Sequence, residues 1–243
     1  MSEKKTNEIG DTIRTVLYAL AIALVVRTFL FEPFSIPSGS MRPTLLEGDY
    51  LFVSKYSYGF SRYSLPFGLP LVSGRVLFTM PKRGDVVVFK LPSDPTIDYI
   101  KRVVGLPGDT IQVIHGILNI NGKPVERERI DDFVLYERSG NVTRRTRYIE
   151  TLPNGVKHPI LEWDDERDND NTPPYVVPAG HLFMMGDNRD NSRDSRYPEV
   201  GFVPFENLVG RAERLFFSID GDAWKVWDWP SWSRPERFFQ AIH

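Results

Sequence analysis

The chain has 243 residues, a formal net charge of −2 and 41% hydrophobic residues. This length suits one large domain or a core domain with an insertion. The nearly neutral charge argues against nucleic acid as a partner, because proteins that bind it carry a basic excess. The absence of cysteine excludes disulfides, thiol catalysis and cysteine-ligated zinc. The four histidines lie in no metal-binding spacing, so they predict no metal site.

An apolar segment, residues 13–31, is long enough to cross a membrane. Its sequence IRTVLYALAIALVVRTFLF carries only two charges, Arg14 and Arg27, and a helix of about 20 residues spans the core of a bilayer. The residues after Val26 are larger than a signal-peptide cleavage site requires, which favours an uncleaved anchor over a cleaved leader or a buried core helix. Residues 1–12 form a short polar N-terminus. Basic residues flank both ends of the segment, so they do not decide its orientation.

The stretch after this segment, residues 34–49, has the composition of a constrained loop. Pro37 and Pro43 stiffen the backbone and Gly39 permits a tight approach, which presents Ser38 and Ser40 on a loop instead of a helix. A serine held in this way can act as a nucleophile if a base lies beside it. A simple turn leaving a membrane segment would have the same composition.

Runs of β-branched and aromatic residues predict strands along much of the remaining chain. The predicted strands cover residues 50–54, 85–91, 99–104, two runs within 111–121, 175–177, 181–185 and 208–219. Residues 56–78, rich in glycine, proline and aromatics, predict a long irregular lid or flap, or a surface that rests on lipid.

Residues 99–109, YIKRVVGLPGD, contain the candidate for the base. In an extended strand Tyr99, Lys101 and Val103 share one face, and Ile100 and Arg102 share the other. A lysine among apolar residues loses hydration, which lowers its pKa and allows it to act as a general base. The alternative is a half-exposed strand lysine whose ammonium reaches water.

Residues 123–174 are more polar than the rest and predict an inserted subdomain or long loop. The acidic residues 164–170 lack the spacing of an EF-hand, so we expect a solvated acidic face instead of a calcium loop.

Two segments near the end have distinct compositions. Residues 186–197 are dense in Asp, Asn and Arg directly after the apolar residues FMM, which predicts a hydrogen-bonded network at a strand end over a plain polar turn. Residues 224–239 contain four of the five tryptophans, which suits either a membrane interface or partial burial in the domain.

Three stretches stand out in order along the chain: PSGSMRPTLLEGD after the apolar segment, YIKRVVGLPGD after a buried strand, and GDNRDNSRDSR near the end. Together they resemble the motifs of bacterial type I signal peptidases, membrane-bound serine endopeptidases with a Ser/Lys dyad. The resemblance implies a mainly β fold: one transmembrane helix, an antiparallel catalytic domain of residues 32–122 and 175–243, and an inserted smaller β subdomain of residues 123–174.

The resemblance also implies roles for individual residues. Ser40 corresponds to the nucleophile and Lys101 to its general base, with Ser38 and Ser40 at the oxyanion hole and Ser192 orienting the lysine. Two structural ion pairs are implied, Asp187 with Arg102 and Asp194 with Arg196. The implied apolar substrate pocket is lined by Phe34, Ile36, Met41, Leu45, Tyr99 and Ile100.

The same resemblance implies neither a metal nor a cofactor. The implied partners are preprotein signal peptides, cleaved after small residues at positions −3 and −1, and the lipid bilayer. The implied location is the inner membrane, with a single span and the catalytic domain on the periplasmic side; the oligomeric state stays open. Two other hypotheses are a dedicated maturation protease of the same fold and a membrane-anchored β-rich binding module without catalytic activity.

Overall fold

We describe a computed structural model of the chain, which covers residues 2–65, 68, 74–136, 139–164, 166–167, 169–221 and 224–243. Side chains are described from residue 9 onward, except at residue 228. The helices and strands of these ranges are α1 (Ser2–Phe29), β1 (Phe31–Ser35), β2 (Asp49–Ser54), β3 (Phe60–Ser61), β4 (Arg75–Val76), β5 (Val86–Lys90), β6 (Asp98–Gly105), β7 (Thr110–Ile114), β8 (Ile117–Ile120), β9 (Lys123–Pro124), β10 (Glu126–Tyr136), β11 (Val142–Thr151), β12 (Lys157–Glu162), β13 (Tyr175–Val176), β14 (His181–Met185), β15 (Val203–Pro204), β16 (Leu208–Ser218) and α2 (Trp229–Trp232).

The largest sheet has seven strands in the order β1-β2-β16-β5-β6-β14-β15. Strands β13, β7, β8 and β9 form a second sheet, β10 to β12 a third, and β3 with β4 a two-stranded ribbon. Every pairing between these named strands is antiparallel. The prediction of a mainly β, antiparallel fold is therefore confirmed.

Tight turns connect the short strands of the second sheet. His115 and Gly116 between β7 and β8 both have positive φ, at 48° and 71°, and Asn121 and Gly122 between β8 and β9 have φ of 55° and 74°. Two consecutive residues with positive φ match the right-handed twist of antiparallel strands. The two hairpin positions follow from the sequence for this reason.

Apolar side chains form three buried clusters along the sheets. One packs β2 and β16 against the residues after β1, including Ile36, Met41 and Leu45. A second lies around β5 and β14, and the third joins β6 to the second sheet through Val104 and Ile111. Val103 and Val104 belong to different clusters, which agrees with the alternating faces predicted for this strand. Strand β6 is thus buried on both faces near its end.

Helix α1 stands apart from these clusters. Its segment Ile9–Phe29 is long and apolar enough to cross a membrane, with a mean hydropathy of 1.8, and its side chains are exposed except at Thr28 near the end of the helix. At its end, the carboxylate of Glu32 in β1 accepts hydrogen bonds from Arg27, at 2.8 Å, and from Lys55, at 2.9 Å. The junction between helix and sheet is therefore held by charge-assisted hydrogen bonds.

The structure corrects the predicted bounds of the apolar segment. The helix begins at Ser2 and includes the polar residues predicted to precede it, and it ends at Phe29. Phe31 already pairs with Ser54 across β1 and β2. Residues 31–35, predicted partly as anchor and partly as loop, form a strand that pairs with β2 from Phe31–Ser54 to Ser35–Tyr50, and Phe34 packs against the first cluster.

The predicted insertion contains a sheet of its own. Strands β10 to β12, residues 126–162, pair only with each other among the named strands, whereas β9 pairs with β8. The position of the insertion as a separate subdomain, residues 123–174, stays a prediction.

The predicted flap and the tryptophan-rich tail are described in part. Residues 66–67 and 69–73 of the flap lie outside the described residues, and those on either side include β3 and β4. In the tail, Trp224 and Trp227 are exposed, whereas Trp229 packs its ring against Phe217 at 4.8 Å between centroids.

Candidate active site

Ser40 lies in a short 3₁₀ turn, Gly39–Met41, between β1 and β2. Its side chain is 9% exposed, and Met41 beside it is fully buried in the first cluster. The burial of Met41 anchors the turn, so Ser40 is held at the surface of the core. The first N–H groups of such a turn have no partner inside it, which leaves backbone donors beside the hydroxyl.

Strand β6 brings Lys101 to the same place. Its neighbours β5 and β14 pair with it on either side, with Val87 opposite Lys101 and Met185 opposite Arg102. Lys101 is 4% exposed, so the alternative of a half-exposed lysine is wrong. The amine therefore meets the hydroxyl in an environment with little water.

The side chains of Lys101 and Ser40 are in direct contact. Nζ of Lys101 lies 2.7 Å from Oγ of Ser40 and donates to the carbonyl oxygen of Ile100 at 2.9 Å. Burial lowers the pKa of Lys101 to about 8, and the carboxylates of Asp194 and Asp187 offset part of this effect. About half of the amine is therefore neutral at pH 8, and a neutral amine can accept the hydroxyl proton.

The next residue, Arg102, carries its charge into a different environment. Its guanidinium donates to both carboxylate oxygens of Asp187, with Nε–Oδ1 at 2.8 Å and Nη2–Oδ2 at 2.7 Å. It also donates to the carbonyl oxygen of Gly84, and Thr44 donates to Asp187 at 2.5 Å. Burial alone would raise the pKa of Asp187, but the charge and hydrogen bonds of Arg102 lower it below its usual value.

A second buried ion pair lies after β14. Arg196 donates to both oxygens of Asp194 at 2.9 Å, and the backbone N–H of Gly186 donates to the same carboxylate at 3.0 Å. Burial raises the pKa of Asp194, but Arg196 outweighs this effect and the pKa falls below its usual value. This buried ion pair, Asp194 with Arg196, stabilises the loop after β14.

This loop contacts the turn of Ser40 directly. Asn188 donates from its backbone N–H to the carbonyl oxygen of Ser40 at 3.1 Å and from its side chain to that of Gly39 at 2.8 Å. A Cβ atom on Gly186 would lie 2.5 Å from the Ser40 carbonyl oxygen. Close packing and two hydrogen bonds thus fix the backbone that carries the hydroxyl.

The predicted insertion reaches this network through Glu150 of β11. Its carboxylate accepts two hydrogen bonds from Arg189, at 3.0 and 2.6 Å. His158 of β12 lies beside it, with Nε2 3.4 Å from Glu150 and 3.9 Å from Asp187. Burial and the charge of Arg102 lower the pKa of His158 to about 4, so the ring is neutral near pH 7.

A model of the family described as signal peptidase, peptidase S26, matches residues 9–217. This match covers the apolar helix, the serine turn, the lysine strand and the buried network. The chain belongs to the signal peptidase family.

Curated relatives match nearly the whole chain. Signal peptidase I of Rickettsia typhi is 42% identical over 229 residues, which cover 90% of this chain and 85% of the relative. Signal peptidase I of Rickettsia akari is 43% identical over 215 residues, with 85% and 79% covered. Among solved structures, a signal peptidase I from Enterococcus faecalis V583 is 27% identical and has a TM-score of 0.32, with 55% of this chain and 97% of that chain covered. The fold assignment rests on the strands described above.

Two serines that the family resemblance singles out lie close to the dyad. Ser38 is exposed, and its Oγ lies 3.5 Å from Oγ of Ser40. Ser192 is buried and packs against Gly186, where an added Cβ atom would lie 2.2 Å from its Oγ. The Ser192 hydroxyl lies near Asp194 and contributes to its lowered pKa, but it forms no hydrogen bond of normal geometry, with Lys101 or any other described residue. Its predicted orienting contact with the lysine is thus not formed in this conformation.

The residues expected to line a substrate pocket divide into two groups. Phe34, Tyr99 and Ile100 are half-buried and retain exposed apolar surface. Ile36, Met41 and Leu45 are buried in the first cluster, with exposures of 3%, 0% and 0%. In this conformation they support the floor of the site as core residues, and they form no open pocket wall.

Sequence reasoning missed several residues of the network. Asn188 and Thr44 lie within the quoted motifs, but no role was assigned to them. Glu150 and His158 lie in the insertion, where no motif was found. An isolated polar residue at a buried strand position was the available signal, since such groups need partners.

Proposed function

We propose that the chain is a membrane-anchored endopeptidase that removes N-terminal signal peptides from exported preproteins, with Ser40 as nucleophile and Lys101 as general base. Membership of the signal peptidase family makes it a serine peptidase. The observation that carries the assignment of the dyad is the 2.7 Å distance between Nζ of Lys101 and Oγ of Ser40 at a buried position. No histidine is needed, because a neutral amine can take the proton.

In the first half of the reaction, the Ser40 oxygen attacks the carbonyl carbon of the scissile bond while its proton moves to Lys101 Nζ. The negative charge then develops on the carbonyl oxygen, where the backbone N–H of Ser40 and the hydroxyl of Ser38 are positioned to donate. A single donor of this kind contributes about 3 kcal/mol to transition-state stabilisation. The ammonium of Lys101 returns its proton to the leaving amine, and an acyl ester on Ser40 remains.

In the second half, Lys101 again acts as base and takes a proton from water. The resulting attack on the ester releases the signal peptide and restores the Ser40 hydroxyl. The buried pairs Arg102–Asp187 and Asp194–Arg196 are structural in this proposal, because they hold β6 and the loop after β14 on either side of the dyad. Ser192 acts as a positioning residue for the amine when substrate closes the site.

Substrate binding follows from the apolar surface beside the dyad. We assign the small residues at positions −3 and −1 to the surface of Phe34, Tyr99 and Ile100, over the core residues Ile36, Met41 and Leu45. An extended peptide can pair with an exposed strand edge, which leaves alternate side chains to select the sequence. A shallow floor of this kind favours small side chains.

The apolar helix supports the proposed location. With Ile9–Phe29 in the cytoplasmic membrane, the dyad lies at the bilayer surface, where a signal peptide emerges. The catalytic domain is assigned to the periplasmic side, since exported proteins are released there.

The decisive experiment incubates the detergent-solubilised protein with a preprotein and measures the mass of the released mature chain. The wild type is expected to cleave after a small residue at −1, and Ser40→Ala is expected to show no cleavage because the nucleophile is gone. Ser93→Ala, at an exposed position away from the dyad, is the matched control and should retain full activity. Cleavage by folded, purified Ser40→Ala would refute the assignment. A panel of unrelated signal peptides then separates a general peptidase from one dedicated to a single substrate.

A further inference from the structure

Three carboxylates from separate parts of the chain lie close together next to the loop after β14, the loop that contacts the turn of Ser40. Glu162 ends β12, Asp170 ends the acidic segment that follows, and Asp190 lies between β14 and Ser192. One oxygen of each lies within 4.8 Å of the other two. The exposures of Glu162 and Asp170 are 2% and 1%, so the expectation of a solvated acidic face over residues 164–170 is wrong at Asp170.

Two of these carboxylates present an unpartnered buried oxygen to the cluster. Oε2 of Glu162 and Oδ1 of Asp190 have no hydrogen-bond partner among the described residues. The other oxygen of Asp190 is occupied, since it accepts from the backbone N–H of Trp163 at 2.5 Å. Buried polar atoms without a partner are rare in folded proteins, and each one calls for a ligand that completes it.

The nearby cations do not neutralise this cluster. Arg189 is bonded to both oxygens of Glu150, and Arg196 to both oxygens of Asp194. Burial raises the pKa of Glu162 well above its usual value; Asp190 and Asp170 contribute to the rise, and the two arginines only partly oppose it. Like-charged groups this close are stable when they bind a cation or a proton.

We propose that Glu162, Asp170 and Asp190 bind a calcium ion. Calcium takes six to eight oxygen ligands at about 2.3–2.6 Å, so two ligands on opposite sides lie about 4.6–5.2 Å apart. The three carboxylate oxygens lie within 4.8 Å of one another, so they are close enough to bind one such ion together. Three carboxylates supply the negative charge, and water or backbone carbonyl oxygens complete the coordination.

The ion would connect the insertion to the loop that supports the dyad. Leu161, one residue before Glu162, donates its N–H to the carbonyl oxygen of Asp187 at 2.8 Å. Asp190 lies two residues after Asn188, which donates to Gly39 and Ser40. A bound ion would therefore stabilise the segment against which the serine turn packs, without contact with the reacting atoms.

The test uses the full chain in detergent with calcium chloride, EDTA or terbium chloride as the only additions. Trp163 adjoins Glu162, so excitation of tryptophan is expected to give sensitised emission from bound terbium, and calcium is expected to displace it. Calcium at about 100-fold excess over its Kd is expected to raise the Tm by roughly 5–10 °C relative to EDTA.

The variants Glu162→Gln and Asp190→Asn should lose both the terbium emission and the calcium-dependent Tm shift. In EDTA, Glu162→Gln should be at least as stable as the wild type, since it relieves repulsion between carboxylates. The matched control is Glu166→Gln, which removes an exposed charge from the same segment and should behave like the wild type. An unchanged Tm with calcium, or terbium emission that persists in Glu162→Gln, would show that Glu162 is a protonated acid and that no such site exists.

Discussion

Lys101 and Arg102 are neighbours on one strand with nearly equal burial, yet they lie in opposite electrostatic environments. On one face of β6, Lys101 meets a neutral hydroxyl, and burial lowers its pKa to about 8. On the other face, Arg102 donates two hydrogen bonds to Asp187. The comparison shows that the partner, and not the depth, distinguishes these two buried cations, because one faces a neutral hydroxyl and the other a carboxylate.

Lys101 and Arg102 can lie in different environments because side chains alternate between the two faces of a strand. Successive side chains point to opposite faces, so one residue can serve chemistry while the next stabilises the scaffold. Lys101 also feels the charges of Asp187 and Asp194, but these carboxylates are paired with Arg102 and Arg196. Their residual effect on Lys101 only partly offsets its burial.

The largest expected effect is the loss of cleavage activity when Lys101 is replaced by a permanently charged residue like the neighbouring Arg102. Lys101→Arg keeps a cation at this position but removes a base that can deprotonate, because a guanidinium stays protonated at every pH at which the enzyme works. We expect kcat/KM for preprotein cleavage to fall by at least about 10³-fold, near the upper range of general-base catalysis. Lys101→Met should lose activity equally while it keeps or improves thermal stability, since it removes a buried amine. Activity within tenfold of the wild type in Lys101→Arg would disprove the role of a neutral amine.

The next-largest expected effect is the loss of stability when the ion pair between Arg102 and Asp187 is broken. Arg102→Met leaves Asp187 buried without its charge partner, and such a loss costs about 3–5 kcal/mol of unfolding free energy. Thermal or denaturant unfolding should report the loss. The double variant Arg102→Met/Asp187→Leu should recover most of the stability, because no unpaired charge remains. If Arg102→Met alone were as stable as the wild type, the pair would not be structural.

The sequence predicted most of the strands, and it singled out Ser40 and Lys101, which the structure brings into contact; both results have identifiable reasons. Alternating apolar residues and the His115–Gly116 turn determine local structure within a few residues. The quoted motifs carry Ser40 and Lys101. The packing of Met41 and Leu45 could not be predicted in this way, since closure of the floor depends on how β2 and β16 pack in three dimensions.

Contacts between segments that are distant in the chain also could not be predicted from the sequence. Glu150 and Arg189 form a buried pair across 39 residues, and no local pattern predicts which charges meet. The same holds for Glu162 and Asp190. The composition of the acidic run 164–170 is typical of exposed segments, whereas the fold leaves Asp164 exposed and buries Asp170.

The smallest expected effect is the pH dependence of the cleavage rate, which distinguishes Lys101 from the Arg102–Asp187 pair. With the pKa of Lys101 lowered to about 8, the neutral amine is lost as the pH falls below that value. We expect kcat/KM to fall about tenfold per pH unit below pH 7, and about 50-fold in all from pH 8 to pH 6. The arginine face should not respond in this range, because Arg102 keeps the pKa of Asp187 below its usual value and the carboxylate stays ionised. Unfolding measured between pH 8 and pH 7 should therefore show no matching loss of stability, whereas below about pH 6.5 the buried His158, whose pKa is lowered to about 4, makes the folded state less stable. A rate that stays constant from pH 8 to pH 5 would rule out lysine as the base, and a parallel loss of stability already between pH 8 and pH 7 would assign the pH effect to the scaffold instead.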